Sequence, residues 1–461
     1  MAAQPAGSTL IQRRLRLRPG ALVAAALQWP DRYPVLLDSA ARGPLARASV
    51  LMAHPRAALW KSSDGTLHAE GRPAPRQATF LAELETWMRE EQVPAVSPEL
   101  EFSGGWAVFL GYEIGAEIEA RIPRAPGGPN VDAFALRIPA AIIERADGEA
   151  ELVAEPDVPL ATLDAIVRDL ESVRAESPFE GSVVTDVSEE DPALYIQRVL
   201  RGQEYIRAGD IYQTNLSRGW RVRVPKGVGA RQLYPRLRRA NPAPFAALTQ
   251  FRGETLLSSS PERLFRIQGD RIDTRPIAGT HPRGATPVED AKLARDLLAH
   301  PKERAEHVML IDLERNDLGR VCRAGTVVVD EYMAVETYAH VHHIVSNVSG
   351  RLRPEVGVVD VIRAVFPGGT ITGCPKLRCM QIIAELEGEA RGAYTGSLGY
   401  VNRDGSADLN ILIRTMTLSG SELSFRAGAG IVADSDAQRE VNETRAKARG
   451  MLVALNGTGS T

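Results

Sequence analysis

At 461 residues the chain is too long for one small hydrophobic core, and its length suggests roughly two to four domain-sized units. Hydrophobic residues make up 44% and charged residues 25% of it, as in ordinary soluble globular proteins, and a formal net charge of -3 gives no support for a nucleic-acid or membrane partner. Three scattered cysteines are too few for a disulfide framework and fit a reducing cytosol, so we expect a cytoplasmic location.

The first predicted elements are a strand in LIQRRLRLR and a short helix in ALVAAAL. A signal peptide would also combine arginines with an apolar run, but this run is at the short limit and lacks a clear cleavage site. No apolar run approaches the roughly 20 residues of a membrane helix. We interpret residues 15–180 as a strand-rich N-terminal region, which includes a buried strand within GGWAVFLGYEIG.

A polar segment over residues 180–192 precedes a second, larger region. Asp191 and Pro192 predict the start of a helix, with an aspartate N-cap followed by proline in the first turn, and Gly209 predicts its end. Residues 189–455 mix helices and strands without regular βαβ spacing. The sequence therefore predicts an α+β fold rather than a doubly wound parallel sheet.

The segment RPIAGTHPRG, residues 275–284, predicts a loop because it holds two prolines and two glycines. Its arginines, threonine and histidine could all meet an anion. Ala278, at its centre, has a side chain that can do no chemistry. Upstream of this segment, Glu262 follows a proline turn in SSSPERL and is a candidate functional acid.

Two predicted helices carry paired acids. Glu303 and Glu306 share a face of the helix that starts near residue 301, and Glu440 and Glu443 share a face of the last helix with Lys447. If the pairs face each other they could hold one Mg²⁺, which takes one or two carboxylates and completes its shell with water and substrate oxygens. The alternative is two solvated helix faces with ordinary salt bridges.

Two glycine-rich segments could present backbone N–H groups to an anion. FPGGTITGCPK resembles a phosphate loop, but Gly373 is followed by Cys374 instead of lysine and a hydroxyl residue, which leaves an anion nest near Thr370. AGAGIVA matches a dinucleotide fingerprint, but the 28 residues after Ala433 predict only one helix. This second segment is either a tightly packed strand end or a second nest.

Histidines and one arginine complete the candidates. YAHVHHIVSNVSG predicts a strand with His340 and His342 on one face and His343 on the other. His340 and His342 could be metal ligands, although a strand histidine is more often packed and hydrogen-bonded. Arg414 interrupts an apolar strand in ILIRTM, which indicates a carboxylate clamp or a structural ion pair. These groups suggest a Mg²⁺ site for a small polycarboxylate or phosphate.

The order of the motifs resembles that of the chorismate-utilising enzymes, the synthases that form anthranilate, aminodeoxychorismate and isochorismate. The resemblance covers residues 190–455 and rests on GDIYQTNLSR, NPAPF, SSSPERL, RPIAGT, AEHVMLIDLERNDLGRVC, VHHIVS, FPGGTITGCPK, GSLGY, IRT, AGAGIVADS and ETRAKA. A weaker match in PVLLDSA and GGWAVFLGYEIG extends it into the N-terminal region. It implies an anthranilate synthase component I-like α/β sandwich of two large sheets wrapped by helices.

The same resemblance implies a role for each candidate residue. Glu262 would be the general acid, and His343 and Thr370 would line the site of the substrate ring. The substrate's carboxylates would be held by Arg414, Tyr394, Lys447, Gly428, Ala429 and Gly430. Mg²⁺ would be held chiefly by Glu306 and Glu443, with Glu303 and Glu440 assisting.

Within this family, YQTNL, VHH and PGGTITG are typical of the aminodeoxychorismate synthase branch, which serves para-aminobenzoate and folate formation. Many of its members carry a nucleophilic lysine where this chain has Ala278, whereas anthranilate synthases carry alanine there. We expect conversion of chorismate and ammonia, supplied by a glutaminase (glutamine amidotransferase) partner, to 4-amino-4-deoxychorismate. Anthranilate formation is the alternative, and a non-catalytic regulatory subunit is a further one.

Overall fold

A computed structural model of the chain describes residues 10–41, 45, 47–95, 100–174, 183–184, 186–337 and 341–456. Among these residues, none of the helices has the length and apolar character needed to cross a membrane. The first part, up to residue 174, carries strands β1 (Ile11–Leu15), β2 (Val35–Asp38), β3 (Ala48–Ala53), β4 (Ala57–Ser62), β5 (Leu67–Glu70), β6 (Gly105–Leu110), β7 (Val131–Ile138), β8 (Ala140–Arg145) and β9 (Ala150–Ala154). Its helices are α1 (Ala21–Gln28), α2 (Phe80–Glu90), α3 (Gly115–Ile118) and α4 (Leu160–Ser172), with a 3-10 turn at Tyr112–Ile114.

The second part continues with a similar mixture of elements. Its strands are β10 (Asp186–Glu189), β11 (Gln213–Arg223), β12 (Phe245–Phe251), β13 (Glu254–Ser260), β14 (Arg263–Gln268), β15 (Arg271–Thr274), β16 (Ile277–Pro282), β17 (Val328–Thr337), β18 (Val341–Arg351), β19 (Gly373–Cys374), β20 (Ser397–Asn402), β21 (Ala407–Asn410), β22 (Thr415–Ser419) and β23 (Glu422–Ile431). Its helices are α5 (Pro192–Arg207), α6 (Ala230–Ala240), α7 (Pro287–Ala299), α8 (Pro301–Gly319), α9 (Val358–Val365), α10 (Lys376–Glu387) and α11 (Ala437–Asn456), with a 3-10 turn at Gly369–Ile371.

The strands form two large antiparallel sheets. The first runs β1-β9-β8-β3-β2-β12-β13-β22-β23-β11-β10, with β19 beside β11, and the second runs β16-β18-β15-β14-β21-β20-β6-β7-β4-β5, with β17 beside β18. Each sheet joins strands from both parts of the chain, because β2 pairs with β12 in the first and β6 pairs with β20 in the second. The predicted α+β class and the sandwich of two large sheets are confirmed, while the boundary between the two predicted regions stays a prediction.

An apolar layer between the sheets includes Phe109 and Leu256, one from each sheet. Strand β6 has an apolar sequence because both of its faces are buried. Phe109 faces the layer between the sheets, and Val108 packs among the side chains of α2 and α9 on the outer face. A strand buried on both faces needs no polar alternation. The helices α1, α4, α6 and α11 cover the outer face of the first sheet.

Several local predictions are confirmed. Asp191 caps α5 by accepting a hydrogen bond from the amide of Ala193, Pro192 opens the helix, and Gly209 follows its end with a φ of 81°. The predicted helices carrying the paired acids are α8 and α11. The segment GGWAVFLGYEIG contains the wholly buried strand β6.

Two local predictions are wrong. The segment over residues 275–284 is not all loop, because Ile277–Pro282 forms β16 against β18, with a register shift between Ala278 and Thr280. Gly279, with a φ of 69°, supplies the left-handed backbone that this bulge requires. Residues 411–414 lie outside the strands, so Arg414 does not interrupt a strand but immediately precedes β22.

Candidate active site

Glu262 lies where the chain passes from one sheet to the other, since β13 belongs to the first sheet and β14 to the second. Its carboxyl is buried, and Thr370 Oγ1 donates a 2.8 Å hydrogen bond to its Oε1. Burial raises the pKa of this carboxyl to about 7, against the lowering effects of Thr370, the amide of Ile277, Lys447 and Arg414. A carboxyl of this kind can hold or release a proton near neutral pH.

The chain crosses from the second sheet back to the first between β21 and β22, and Arg414 lies at this second crossing. The two crossings are hydrogen-bonded to each other, because the amide of Ile411 donates to the carbonyl of Glu262 at 3.0 Å and the amide of Ser259 donates to the carbonyl of Arg414 at 3.1 Å. Arg414 has a φ of 52°, a strained conformation for a residue with a side chain. Burial lowers the pKa of its guanidinium, and the charge of Glu262 raises it.

The strand pair β16 and β18 brings Ala278 and His343 beside these residues. The amide of Ile277 bonds to Glu262, which places buried Ala278 one residue from the contact with the candidate acid. Burial and the charge of Arg414 lower the pKa of His343 to about 3, against a hydrogen bond from its ring to the backbone of Gly279. His343 is therefore a neutral imidazole at physiological pH.

The other strand histidines have a different environment. His342 Nε2 lies 2.8 Å from Asp290 Oδ1, and its Nδ1 lies 2.9 Å from the hydroxyl of Thr337. His340 lies outside the described residues. The described partners of His342 are those of a packed, hydrogen-bonded histidine.

The glycine-rich end of β23 lies beside Tyr394. Strand β22 pairs with β23 only as far as Phe425 in the described register, whereas β11 continues alongside Gly428–Ile431, so the other edge of β23 opens toward the site. A Cβ on Gly428 would lie 2.6 Å from Tyr394 Oη and 2.8 Å from Asn215 Oδ1. No side chain fits there, so glycine is what allows this strand to pack so closely against Tyr394 and Asn215.

Lys447 and the paired acids of α11 lie next to the same strand. Lys447 Nζ donates to the carbonyl of Gly428 at 3.0 Å and forms a 2.8 Å ion pair with Glu443. Burial, followed by the negative charges of Glu440, Tyr394 and Glu443 among others, raises the pKa of Tyr195. The acids of α11 and the phenol of Tyr394 are thus close enough to influence the pKa of one buried group, Tyr195.

The paired acids of α8 lie beside two glycines, Gly430 and Gly279. Gln213 Nε2 donates to Glu306 Oε1 at 2.9 Å, and a Cβ on Gly430 would lie 3.3 Å from the same oxygen. A Cβ on Gly279 would lie 2.9 Å from Glu303 Oε2. Both carboxylates therefore lie close to glycine backbone. Glu306 lies near Gly430 in the glycine-rich end of β23, called the glycine strand below, and Glu303 lies near Gly279 in the bulge beside Ala278.

Among the described residues, no three histidine, cysteine, aspartate or glutamate side chains gather closely enough to hold a metal ion by themselves. A Mg²⁺ ion commonly takes only one or two protein carboxylates and completes its octahedron with water and substrate oxygens. Glu306 supplies oxygens of the kind that this mode uses, and Gln213 Nε2, which fills the position of a Cβ on Gly430, holds its Oε1 in place. The oxygen donors of Glu303, Glu440 and Glu443 suit the same hard cation.

Some residues at this site were not individually predicted from the sequence to have a role there. Gln213 and Asn215 point to one face of β11, one toward Glu306 and the other toward Gly428, and alternation along the strand could have indicated this shared face. Glu387 is buried against Arg391 and Arg426, which hold its pKa at about 2 despite burial, and Arg391 lies 5.5 Å from the ring centroid of Tyr394. Only the fold brings Glu387 and Arg426 together.

Comparison with known proteins relates the chain to one family of enzymes. Residues 37–453 match the model of a family described as chorismate binding enzymes. The chain is 40% identical to an anthranilate synthase component I-like protein of Synechocystis over 84% of its length and 80% of that protein's. It is 38% identical to an aminodeoxychorismate synthase of Streptomyces griseus, over 90% of its length and 58% of that protein's. The crystal structure of anthranilate synthase component I from Streptococcus pneumoniae superposes with a TM-score of 0.77 at 33% identity, covering 88% of this chain and 92% of that one.

Proposed function

Because the chain belongs to the chorismate-binding enzymes, we propose that it aminates chorismate with ammonia to give 4-amino-4-deoxychorismate. The observation that carries the proposal is the buried Glu262, whose pKa near 7 and hydrogen bond from Thr370 suit a general acid. The C4 hydroxyl of chorismate is a poor leaving group until it is protonated. Glu262 would supply that proton.

The charged groups around Glu262 suit a dianionic substrate. Arg414 and Lys447 both act electrostatically on Glu262, so a substrate within reach of the acid also lies within reach of both cations. The open edge of β23 at Gly428–Gly430, with Tyr394 beside it, would receive one carboxylate through backbone and phenol donors. His343 and Thr370 would border the ring, and the neutral imidazole adds no charge there.

We further propose Mg²⁺ as the cofactor. Glu306 and Glu443 would hold it, with Glu303 and Glu440 assisting, and a bound Mg²⁺ would offset the charge of a substrate carboxylate. The protein's own contribution is to orient these carboxylates. Gln213 does this for Glu306 through its 2.9 Å hydrogen bond, and Lys447 does it for Glu443 through their 2.8 Å ion pair.

The first nucleophile would be ammonia itself. Ala278 is buried beside the Ile277 amide that bonds to Glu262, and its methyl group cannot attack the ring. Ammonia would add at C2 while the C4 oxygen leaves as water with the proton from Glu262, and the added nitrogen would release one proton. A second ammonia would then add at C4 and expel the C2 nitrogen, which moves the amino group to C4.

Ala278 also favours a second candidate, anthranilate formation, in which the C2-amino intermediate loses pyruvate instead. The residues typical of the aminodeoxychorismate branch support the first candidate, because Asn215 and His343 of the YQTNL and VHH motifs lie at the glycine strand and beside Arg414. Chorismate consumption with ammonium and Mg²⁺ tests both candidates together. Wild-type turnover that is lost in Glu262→Gln supports them, and no consumption would favour a non-catalytic regulatory subunit.

We also propose a separate glutaminase partner and a cytoplasmic location. A glutaminase needs a reactive thiolate. Burial raises the pKa of each of the three thiols, Cys322, Cys374 and Cys379, which makes each a poor nucleophile. Ammonia from glutamine would therefore reach this site from another subunit.

A further inference from the structure

A second buried carboxyl, Glu314 on α8, lies behind the turn that carries Thr370. Thr274 Oγ1 donates to Glu314 Oε2 at 3.0 Å. A Cβ on Gly369 would lie 3.3 Å from Glu314 Oε1, so that oxygen packs directly against the backbone of the turn. The next residue, Thr370, makes the hydrogen bond to Glu262.

Glu262 and Glu314 are each only 5% exposed, and both adjoin this short turn, Glu262 at Thr370 and Glu314 at Gly369. The cation that acts to lower the pKa of Glu314 is shared, because Lys376 Nζ forms a 2.5 Å ion pair with Asp317, about one helical turn further along α8. Lys376 also donates to the carbonyl of Val365 at 3.0 Å. Glu314 therefore shares the charge of Lys376 with Asp317 in a buried environment.

The charges around the two carboxyls act in both directions. Burial, followed by the charge of Asp317, raises the pKa of Glu314 to about 7; the charge of Glu262 also acts to raise it, while Lys376 and Thr274 act to lower it. Glu262 itself faces Arg414, Lys447, Thr370 and the amide of Ile277, which all act to lower its pKa. Arg320 faces Asp317 from the end of α8.

We propose that Glu314 is a positioning residue that keeps Glu262 in its proton-donating form. Each of two carboxyls buried close together opposes the ionisation of the other, so each extends the pH range over which the other stays protonated. Glu314 also supports the Gly369–Thr370 turn from which the hydrogen bond to Glu262 is made. The inference depends on the proposed function only for the identity of Glu262 as the acid.

Glu314→Gln tests this role while keeping the shape of the side chain. The basic limb of the pH profile of kcat/KM should move to lower pH by about half a unit or more, because the neutral amide no longer opposes ionisation of Glu262. Asp312→Asn is the matched control, since Asp312 is an exposed acid on the same helix that pairs with Arg315. Its profile should match that of the wild type.

An infrared titration of carboxylic-acid carbonyl bands gives a readout that requires no turnover. In the wild type, two buried carboxyls should titrate near neutral pH, and in Glu262→Gln the remaining one, Glu314, should titrate at lower pH. A Glu314→Gln pH profile that superposes on the wild type, or independent titration of the two carboxyls, would overturn the proposal. If the coupled titration is seen but chorismate is not consumed, the proposed function fails while the coupling of the two carboxyls stands.

Discussion

Thr370 Oγ1 lies 2.8 Å from Glu262 Oε1 and donates a hydrogen bond that joins the glycine-rich turn to the crossing between the two sheets. The two residues are 108 positions apart in the sequence, and both belong to segments singled out as motifs. Because the contact lies in the interior, it acts on a carboxyl whose protonation is controlled by burial. The chemistry proposed for this chain depends on that protonation.

The raised pKa of Glu262 predicts a specific pH dependence of stability. This carboxyl has an ordinary pKa of 4.5 and a folded-state pKa of about 7, so the folded protein binds the extra proton between these values. Its contribution to stability is fully present below about pH 4.5 and is lost as the pH rises through about 7. Glu262→Gln should therefore gain up to about 3 kcal/mol relative to the wild type between pH 5 and pH 8.

Denaturant unfolding of both proteins at the two pH values measures this difference. Glu385→Gln, at an exposed carboxylate that bonds to Tyr205, is the control and should follow the wild type. An equal pH dependence in the wild type and Glu262→Gln would mean that Glu262 titrates normally in the folded protein.

The metal proposal predicts that Glu443→Gln loses most activity while the fold is kept. Glu443 is about half exposed and its ion pair with Lys447 lies at the surface of α11, so the free energy of unfolding should change by under about 1 kcal/mol. Turnover of chorismate as a function of Mg²⁺ concentration is the measurement. Wild-type activity of the variant at saturating Mg²⁺ would remove Glu443 from the site.

Sequence patterns predicted much of this site because its residues lie in compact motifs. The helices of the paired acids were predicted from the proline at residue 301 and from the helical spacing of the acids, and Glu262 was singled out by its place after a proline turn. The pairing of strands could not be predicted from such patterns. The prolines and glycines around Ile277–Pro282 predicted a loop, whereas this segment forms an edge strand against β18. The burial of Glu314 beside the Thr370 turn likewise depends on contacts between segments far apart in sequence.

A partner subunit should be required for the use of glutamine. The three cysteines have raised pKa values and no means of forming a ready thiolate, so the isolated chain should turn over with ammonium salts but not with glutamine. Addition of a glutaminase subunit should restore glutamine-dependent turnover. Glutamine use by the isolated chain would refute this prediction.

Ala278→Lys should create a covalent adduct that the wild type cannot form. A lysine placed in this buried position beside Glu262 would be desolvated and could attack the ring when ammonia is withheld. Intact-protein mass spectrometry with chorismate and Mg²⁺ would detect the substrate-derived mass. Ala278→Met, which has a long side chain without an amine, should show none.

An adduct on the wild-type chain would contradict the assignment of ammonia as the first nucleophile. It would indicate that another side chain attacks C2. Peptide mapping of the adduct would then identify that residue.

The most direct measurement is the identity of the product formed from chorismate, Mg²⁺ and ¹⁵N-labelled ammonium, by mass and absorbance. Our account predicts a product that keeps the enolpyruvyl group and carries the label at C4, which is 4-amino-4-deoxychorismate. Labelled anthranilate with release of pyruvate would instead support anthranilate formation, the reaction that Ala278 favours. Chorismate left unchanged by a folded protein would contradict the account as a whole.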